Sequence, residues 1–218
     1  MKNYKELLKD YTSYSAGISF EGQPSELYEP ANYILSLGGK RVRPLMVLLG
    51  YQLFDQSIQK AMPLAHAVEV FHNFTLMHDD IMDHAEVRRG KPTVHKKWNE
   101  NIAILSGDLM LVKAYRILSD LDADTGLKTK LIQDFSQMAE EVCVGQQFDM
   151  NFETVSDITE EEYIRMIELK TSVLLAFSLQ AGGMLAGADQ ETTNALYAYG
   201  LNIGLAFQVM DDYLDTFG

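Results

Sequence analysis

The chain has 218 residues, 47% hydrophobic and 22% charged, a balance that suits one sizeable soluble core. A formal net charge of −13 excludes the basic footprint that a nucleic acid or an anionic bilayer surface requires, but leaves room for local phosphate sites. The single Cys143 rules out an internal disulfide, and MKNYKELLKDYTSY lacks the apolar run of a signal peptide, so a cytoplasmic protein with no membrane span is expected.

Residues 3–11 read as a short amphipathic helix. Ser25 then caps a helix from Glu26 to Leu37, which Gly38-Gly39 stops. Pro44 falls where a first helical turn tolerates proline, and LMVLLGYQLF continues as a buried helix. From Pro63 to Asp83 the residues Leu64, Ala67, Val68, Phe71, Phe74 and Met77 recur at helical spacing. Gly90 and Pro92 make residues 84–95 a loop. Two further helices are expected at Asn101–Leu121 and Leu127–Gln147, and Cys143 within the second reads as a buried, inert thiol. Thr159 with Glu162 forms a capping-box signature for a helix through Ala186, bent or thinned at Gly182-Gly183. A last helix starts between Asp189 and Thr192, where Gly200 and Gly204 allow a close helix contact. No segment reads as a strand, so the expected architecture is all-α: one domain over residues 1–218, a helical bundle around a central cavity.

Two stretches dominate this bundle, Asp79-Asp80-Ile81-Met82-Asp83 and Asp211-Asp212-Tyr213-Leu214-Asp215. Each places carboxylates at i, i+1 and i+4, so Asp79 and Asp83 share one helix face and Asp211 and Asp215 another. Like charges so close repel unless a cation sits among them, and the first cluster ends its helix, where the dipole favours cations. Hard oxygen donors without cysteine suit Mg²⁺ best, with Mn²⁺ as a substitute, carrying phosphate. One such cluster alone reads as a solvated acidic face; two copies with identical spacing, facing each other across the cavity, point to metal. Lys40, Arg41 and Arg43 taken alone read as an exposed charged loop, His72 as a hydrogen-bonded core histidine, and His78, His84 and His95 as structural.

With these landmarks in place the chain resembles the trans-isoprenyl diphosphate synthases, the polyprenyl synthetase family, in its short-chain farnesyl and geranylgeranyl form. The resemblance lies in Gly38-Gly39-Lys40-Arg41-Val42-Arg43-Pro44, in His78 through Asp83 followed by Arg88-Arg89-Gly90, in Lys170-Thr171, and in Gly204 through Asp215 with Phe207-Gln208. It implies an isoprenoid synthase-like fold and an Mg²⁺-dependent head-to-tail condensation of isopentenyl diphosphate with an allylic diphosphate (dimethylallyl, geranyl or farnesyl) in a homodimer. By the same resemblance Asp79, Asp80, Asp83, Asp211 and Asp212 hold metal, with Asp215 further out. Arg88 and Lys170 bind the allylic diphosphate, and Lys40, Arg43, His72 and Arg89 bind that of isopentenyl diphosphate. Thr171 and Gln208 then steady the carbocation by their oxygen dipoles.

By the same resemblance, the growing chain is stopped by a bulky side chain below the first motif, and Phe74 and Thr75, five and four residues before Asp79, are expected to be that floor, implying a C15 to C20 product leaning to geranylgeranyl diphosphate; otherwise Phe74 is simply core. Members of that family continue past the second motif with a lysine-bearing loop and more helices. The expectation is therefore a chain truncated after that motif, with its C-terminal helices missing, and weakly active or inactive at 218 residues. Two other readings compete. A class I terpene cyclase needs no second diphosphate pocket, which the GGKRVRP segment and Arg89 supply. A non-catalytic subunit of a heteromeric prenyl synthase need not keep both carboxylate motifs.

Overall fold

The computed structural model describes residues 1–155 and 157–218. Apart from Met1, the chain folds as two compact units, one of residues 2–45 and 62–121 and the other of residues 46–61 and 122–218. The first holds α1 (Tyr4–Ala16), α2 (Ser25–Ser36) and the opening turn of α3 (Val42–Gln52), then α4 (Met62–Met82), β1 (Val87–Arg88), β2 (Lys91–Pro92), α5 (Val94–Lys97) and α6 (Glu100–Ser119). Asn3 and Glu6 close a capping box that starts α1, whose Leu7 and Tyr11, one turn apart, are fully buried. α4 is the axis of this unit, buried on most sides, including the polar His66, Glu69, Asn73 and Asp80. α6 lies along it through Ala103, Gly107, Met110, Ala114 and Leu118, spaced three or four apart.

The second unit contains the rest of α3, a 3₁₀ turn (Ile58–Ala61), α7 (Thr125–Phe152), α8 (Glu160–Ile167), α9 (Val173–Leu185) and α10 (Gln190–Phe217). Asp124, Thr159 and Asp189 cap α7, α8 and α10 with their side chains, and Thr159 with Glu162 makes the expected capping box. α9 is apolar all round and buried from Val173 to Leu179. Gly200 and Gly204 bring α10 onto it: an added Cβ would come within 2.7 Å of Ala176 Cα and 2.6 Å of Ser172 Cα.

The structure corrects four expectations. A two-residue antiparallel ladder pairs Val87 with Pro92 and Arg88 with Lys91, so the basic loop is a tight hairpin with Arg89 and Gly90 at its tip. Arg89 and Gly90 have φ of 53° and 74°, the left-handed pair that a two-residue turn needs. Cys143 is exposed on α7 rather than buried. The helix from Glu160 is not continuous α: Glu168–Ser172 form a π turn that joins α8 to α9. α9 then runs through Gly182-Gly183, where Gly182 takes the carbonyl of Val47 from α3 against its backbone. Among the described residues no helix is long and apolar enough to cross a membrane.

Candidate active site

In the first unit the basic segment is held by its first arginine. Arg41, at φ 53°, donates to Glu69 of α4 and to the carbonyl of Leu35. Glu69 is almost fully buried and also accepts from Asn73, so the GGKRVRP loop is tied down by an internal ion pair. Arg43 follows two residues later in the first turn of α3, and its guanidinium donates to His72 Nε2 at 3.1 Å. Burial, with Arg43 beside it, holds His72 well below the usual histidine range, so it is a neutral acceptor; burial likewise pulls Arg43 down to about 10. The exposed-loop reading of this segment therefore fails for Arg41 and Arg43, both only partly exposed, and holds for Lys40.

Gly38 and Gly39 have φ of 80° and 127°. At Gly39 an added Cβ would lie 2.8 Å from the guanidinium carbon of Arg89, which donates to the carbonyl of Gly38. Lys40, Arg43, His72 and Arg89 thus stand on one loop, two helices and one hairpin of a single unit. Two of the four are hydrogen-bonded to each other, and Arg89 is bonded to the loop that carries Lys40 and leads into α3.

The first acidic motif ends α4. Its three carboxylates have different surroundings. Asp80 is 1% exposed, and both of its oxygens accept from Arg88, at 2.9 Å from Nε and 2.7 Å from the nearer terminal nitrogen. Asp83 is exposed, and its amide donates to the carbonyl of Asp79. Phe74 lies on the same helix between Phe71 and His78, with ring centroids 5.6 and 4.8 Å away. Thr75 turns its hydroxyl back to the carbonyl of His72. His78 donates to the carbonyl of Ile104, and Gly107 leaves the space its ring fills.

In the second unit Lys170 and Thr171 both lie on the π turn. Gly145 of α7 makes room for it, since a Cβ there would sit 2.3 Å from the Lys170 nitrogen. Lys170 is paired with Asp149 of α7. The Thr171 hydroxyl donates to Gln208 Oε1 at 3.0 Å, Gln208 Nε2 donates to Asp212 at 2.8 Å, and the Tyr163 hydroxyl donates to the other Asp212 oxygen. Burial and the Asp212 carboxylate raise the Tyr163 phenol to about 12. Asp211 is half-buried and Asp215 exposed. Glu69, Asn73, Asp149 and Tyr163 went unnoticed in the sequence. Glu69 had a signal, a lone charge within the apolar LAHAVEVF, whereas Tyr163 had none.

Among the described residues no three carboxylate, histidine or cysteine side chains converge as a metal cage. The donor chemistry fits Mg²⁺ all the same. That ion is commonly held by one or two carboxylates, with phosphate oxygens and water completing its octahedron. Asp79 with Asp83, and Asp211 with Asp215, each put two such oxygen donors one turn apart.

Residues 24–218 match the polyprenyl synthetase family model. The chain belongs to the polyprenyl synthetase family. It is 45% identical over 193 residues to the geranylgeranyl diphosphate synthase of Methanosarcina mazei, covering 88% of this chain and 60% of that protein. A crystal structure of a geranylgeranyl pyrophosphate synthase superposes with a TM-score of 0.96 at 50% identity, over 100% of this chain and 66% of that one. A geranyltransferase from Helicobacter pylori, solved in complex with magnesium and isoprenyl diphosphate, does so with a TM-score of 0.90 at 29% identity, over 99% of this chain and 75% of that one. The chain spans about 60% of the length of the curated relatives it matches. The polyprenyl synthetase fold, all-α and isoprenoid synthase-like, agrees with the class read from helical periodicity.

Proposed function

We propose that this protein is a trans-prenyltransferase of the cytoplasm that joins isopentenyl diphosphate to an allylic diphosphate, head to tail, giving a C15 to C20 product that leans to geranylgeranyl diphosphate. The observation that carries this is the gathering of Arg43–His72, Arg89 on the glycine loop and Arg88 on Asp80 along the C-terminal half of α4, in a chain of net charge −13. Cations gathered so closely are suited to a strong anion, and arginine forks grip phosphate oxygens in pairs. The similarity to geranylgeranyl diphosphate synthases, at 45% identity, supports the product class.

Each group has a part in such a reaction. Asp79 and Asp83 at the end of one helix, and Asp211 and Asp212 on another with Asp215 further out, would hold Mg²⁺, which when bound neutralises the charge developing on the leaving diphosphate. Asp80 keeps Arg88 aimed, and Arg88 in the first unit and Lys170 in the second would each bind diphosphate oxygens. Lys40, Arg43, His72 and Arg89 would receive the diphosphate of isopentenyl diphosphate, where a neutral His72 can donate through the ring nitrogen that Arg43 leaves free. Oxygens of Thr171 and Gln208 offer dipoles to a passing carbocation. Mn²⁺ could replace Mg²⁺ on these oxygen donors. A second copy would pack on α6, where Leu105 and Val112 are 58% and 63% exposed on one face with Ile104 beside them.

The test is incubation with labelled isopentenyl diphosphate, Mg²⁺ and each of dimethylallyl, geranyl and farnesyl diphosphate, followed by product chromatography. A C15 to C20 prenyl diphosphate is expected, however slow the turnover. A cyclic hydrocarbon would make the protein a terpene cyclase, and product formed only on adding a second subunit would make it a non-catalytic partner.

A further inference from the structure

We propose that Tyr163 is a positioning residue for the second acidic motif, fixing the Asp212 carboxylate and, through it, the sense in which the Gln208 carboxamide meets Thr171. The inference rests on the proposed function in one respect: it takes Asp212 to belong to a metal-diphosphate site.

Asp212 lies near the exposed end of α10, with Tyr213, Leu214 and Asp215 all exposed after it. A carboxylate there is free to change rotamer unless something outside its own helix holds it. Gln208, one turn earlier on α10, turns with the helix and supplies only a local bond. Tyr163 is different. It reaches across from α8, 49 positions away in sequence, and its hydroxyl takes the Asp212 oxygen that Gln208 leaves. A carboxylate has about four acceptor positions, so two remain for a cation.

The amide follows from the carboxylate. With Nε2 committed to Asp212, Gln208 can present only Oε1 to Thr171, and the Thr171 hydroxyl donates to it. Rotation of Asp212 would let the carboxamide turn over and offer hydrogens where an oxygen dipole is wanted.

The backbone puts Tyr163 in this place. In an uninterrupted α-helix Tyr163 and Thr171, eight residues apart, would point roughly 80° away from each other. The π turn at Glu168–Ser172 absorbs one extra residue. The pair then behaves as residues seven apart, roughly 20° from alignment, and both side chains meet α10 at Asp212 and Gln208.

The experiment follows Mn²⁺ binding by electron paramagnetic resonance, using the 218-residue chain with saturating inorganic diphosphate. Groups that orient a metal ligand typically change affinity by tenfold or more, so Tyr163→Phe is expected to weaken Mn²⁺ by about tenfold while helix content stays the same. Tyr163→Leu should match it, because the hydroxyl and not the ring is the active part. In an Asp212→Asn background, Tyr163→Phe should do nothing further. Wild-type affinity in Tyr163→Phe, or a loss that simply adds to that of Asp212→Asn, would overturn the positioning role alone. A wild-type chain with no Mn²⁺ affinity would remove the metal reading of the motif, and the positioning role with it.

Discussion

Single side chains in this protein do one of two jobs, and the geometry separates them. Arg41 is buried against Glu69 with side-chain exposures of 13% and 3%, so it anchors the loop and does not face a ligand. Removing one partner of a buried pair strands the other, which costs about 3 kcal/mol or more. Arg41→Ala should lower urea-unfolding stability by about that amount, and Glu69→Gln in the same chain should recover part of it. Phe74 has the opposite character. It is only partly buried between Phe71 and His78, one turn below the acidic cluster, so Phe74→Ala should shift the product distribution to longer prenyl chains at little cost to folding. Unchanged product length would mean that Phe74 is core and nothing more.

Among the elements, α1 docks on α4 through a buried histidine with a consequence for pH. His66 is 4% exposed, its Nδ1 3.5 Å from the Tyr11 hydroxyl, and its ring beside Tyr14 and Phe20. Burial first, and the positive Arg41 second, lower it to about 4. The unfolded chain protonates this group near 6.5 and the folded one does not until about 4, so the unfolded state binds more protons between those values. Stability is therefore intact above pH 6.5 and falls on acidification, by as much as about 3 kcal/mol from this residue at pH 4. Denaturant unfolding of wild type and His66→Leu at pH 7.5, 5.5 and 4.5 checks it: the substituted protein should show a shallower acid limb.

Much of this element layer was legible beforehand. Helical periodicity, capping residues and Gly-Pro punctuation located every long helix, because those signals come from local chemistry. The hairpin at Val87–Pro92, the π turn and the exposure of Cys143 were not legible. Each depends on what another element does: Arg88 on the buried Asp80, the π turn on the gap left by Gly145, Cys143 on which face of α7 the other helices cover. The acidic motifs could be read as chemistry from spacing alone. That Asp80 grips an arginine while Asp83 is open to solvent could not, since spacing says nothing of burial.

For the molecule as a whole, exposed apolar surface is the feature that most needs company. Leu105 and Val112 on α6 are the seat proposed for a second copy, and Leu105→Asp with Val112→Asp should shift the mass measured by light scattering from dimer to monomer without loss of helix. A dimer unaffected by both charges would place the contact elsewhere. The π turn has a consequence of its own at this scale. If one residue were deleted between Glu168 and Ser172, the run from α8 to α9 could heal into an ordinary α-helix and keep its hydrogen bonds. That deletion would leave α8 and Tyr163 in their present register on α9, whereas closing the turn with no residue removed would rotate everything upstream by roughly 100°. A run of unchanged length could thus become fully α-helical while its tyrosine points away from Asp212, so a working site can be lost with helix content intact.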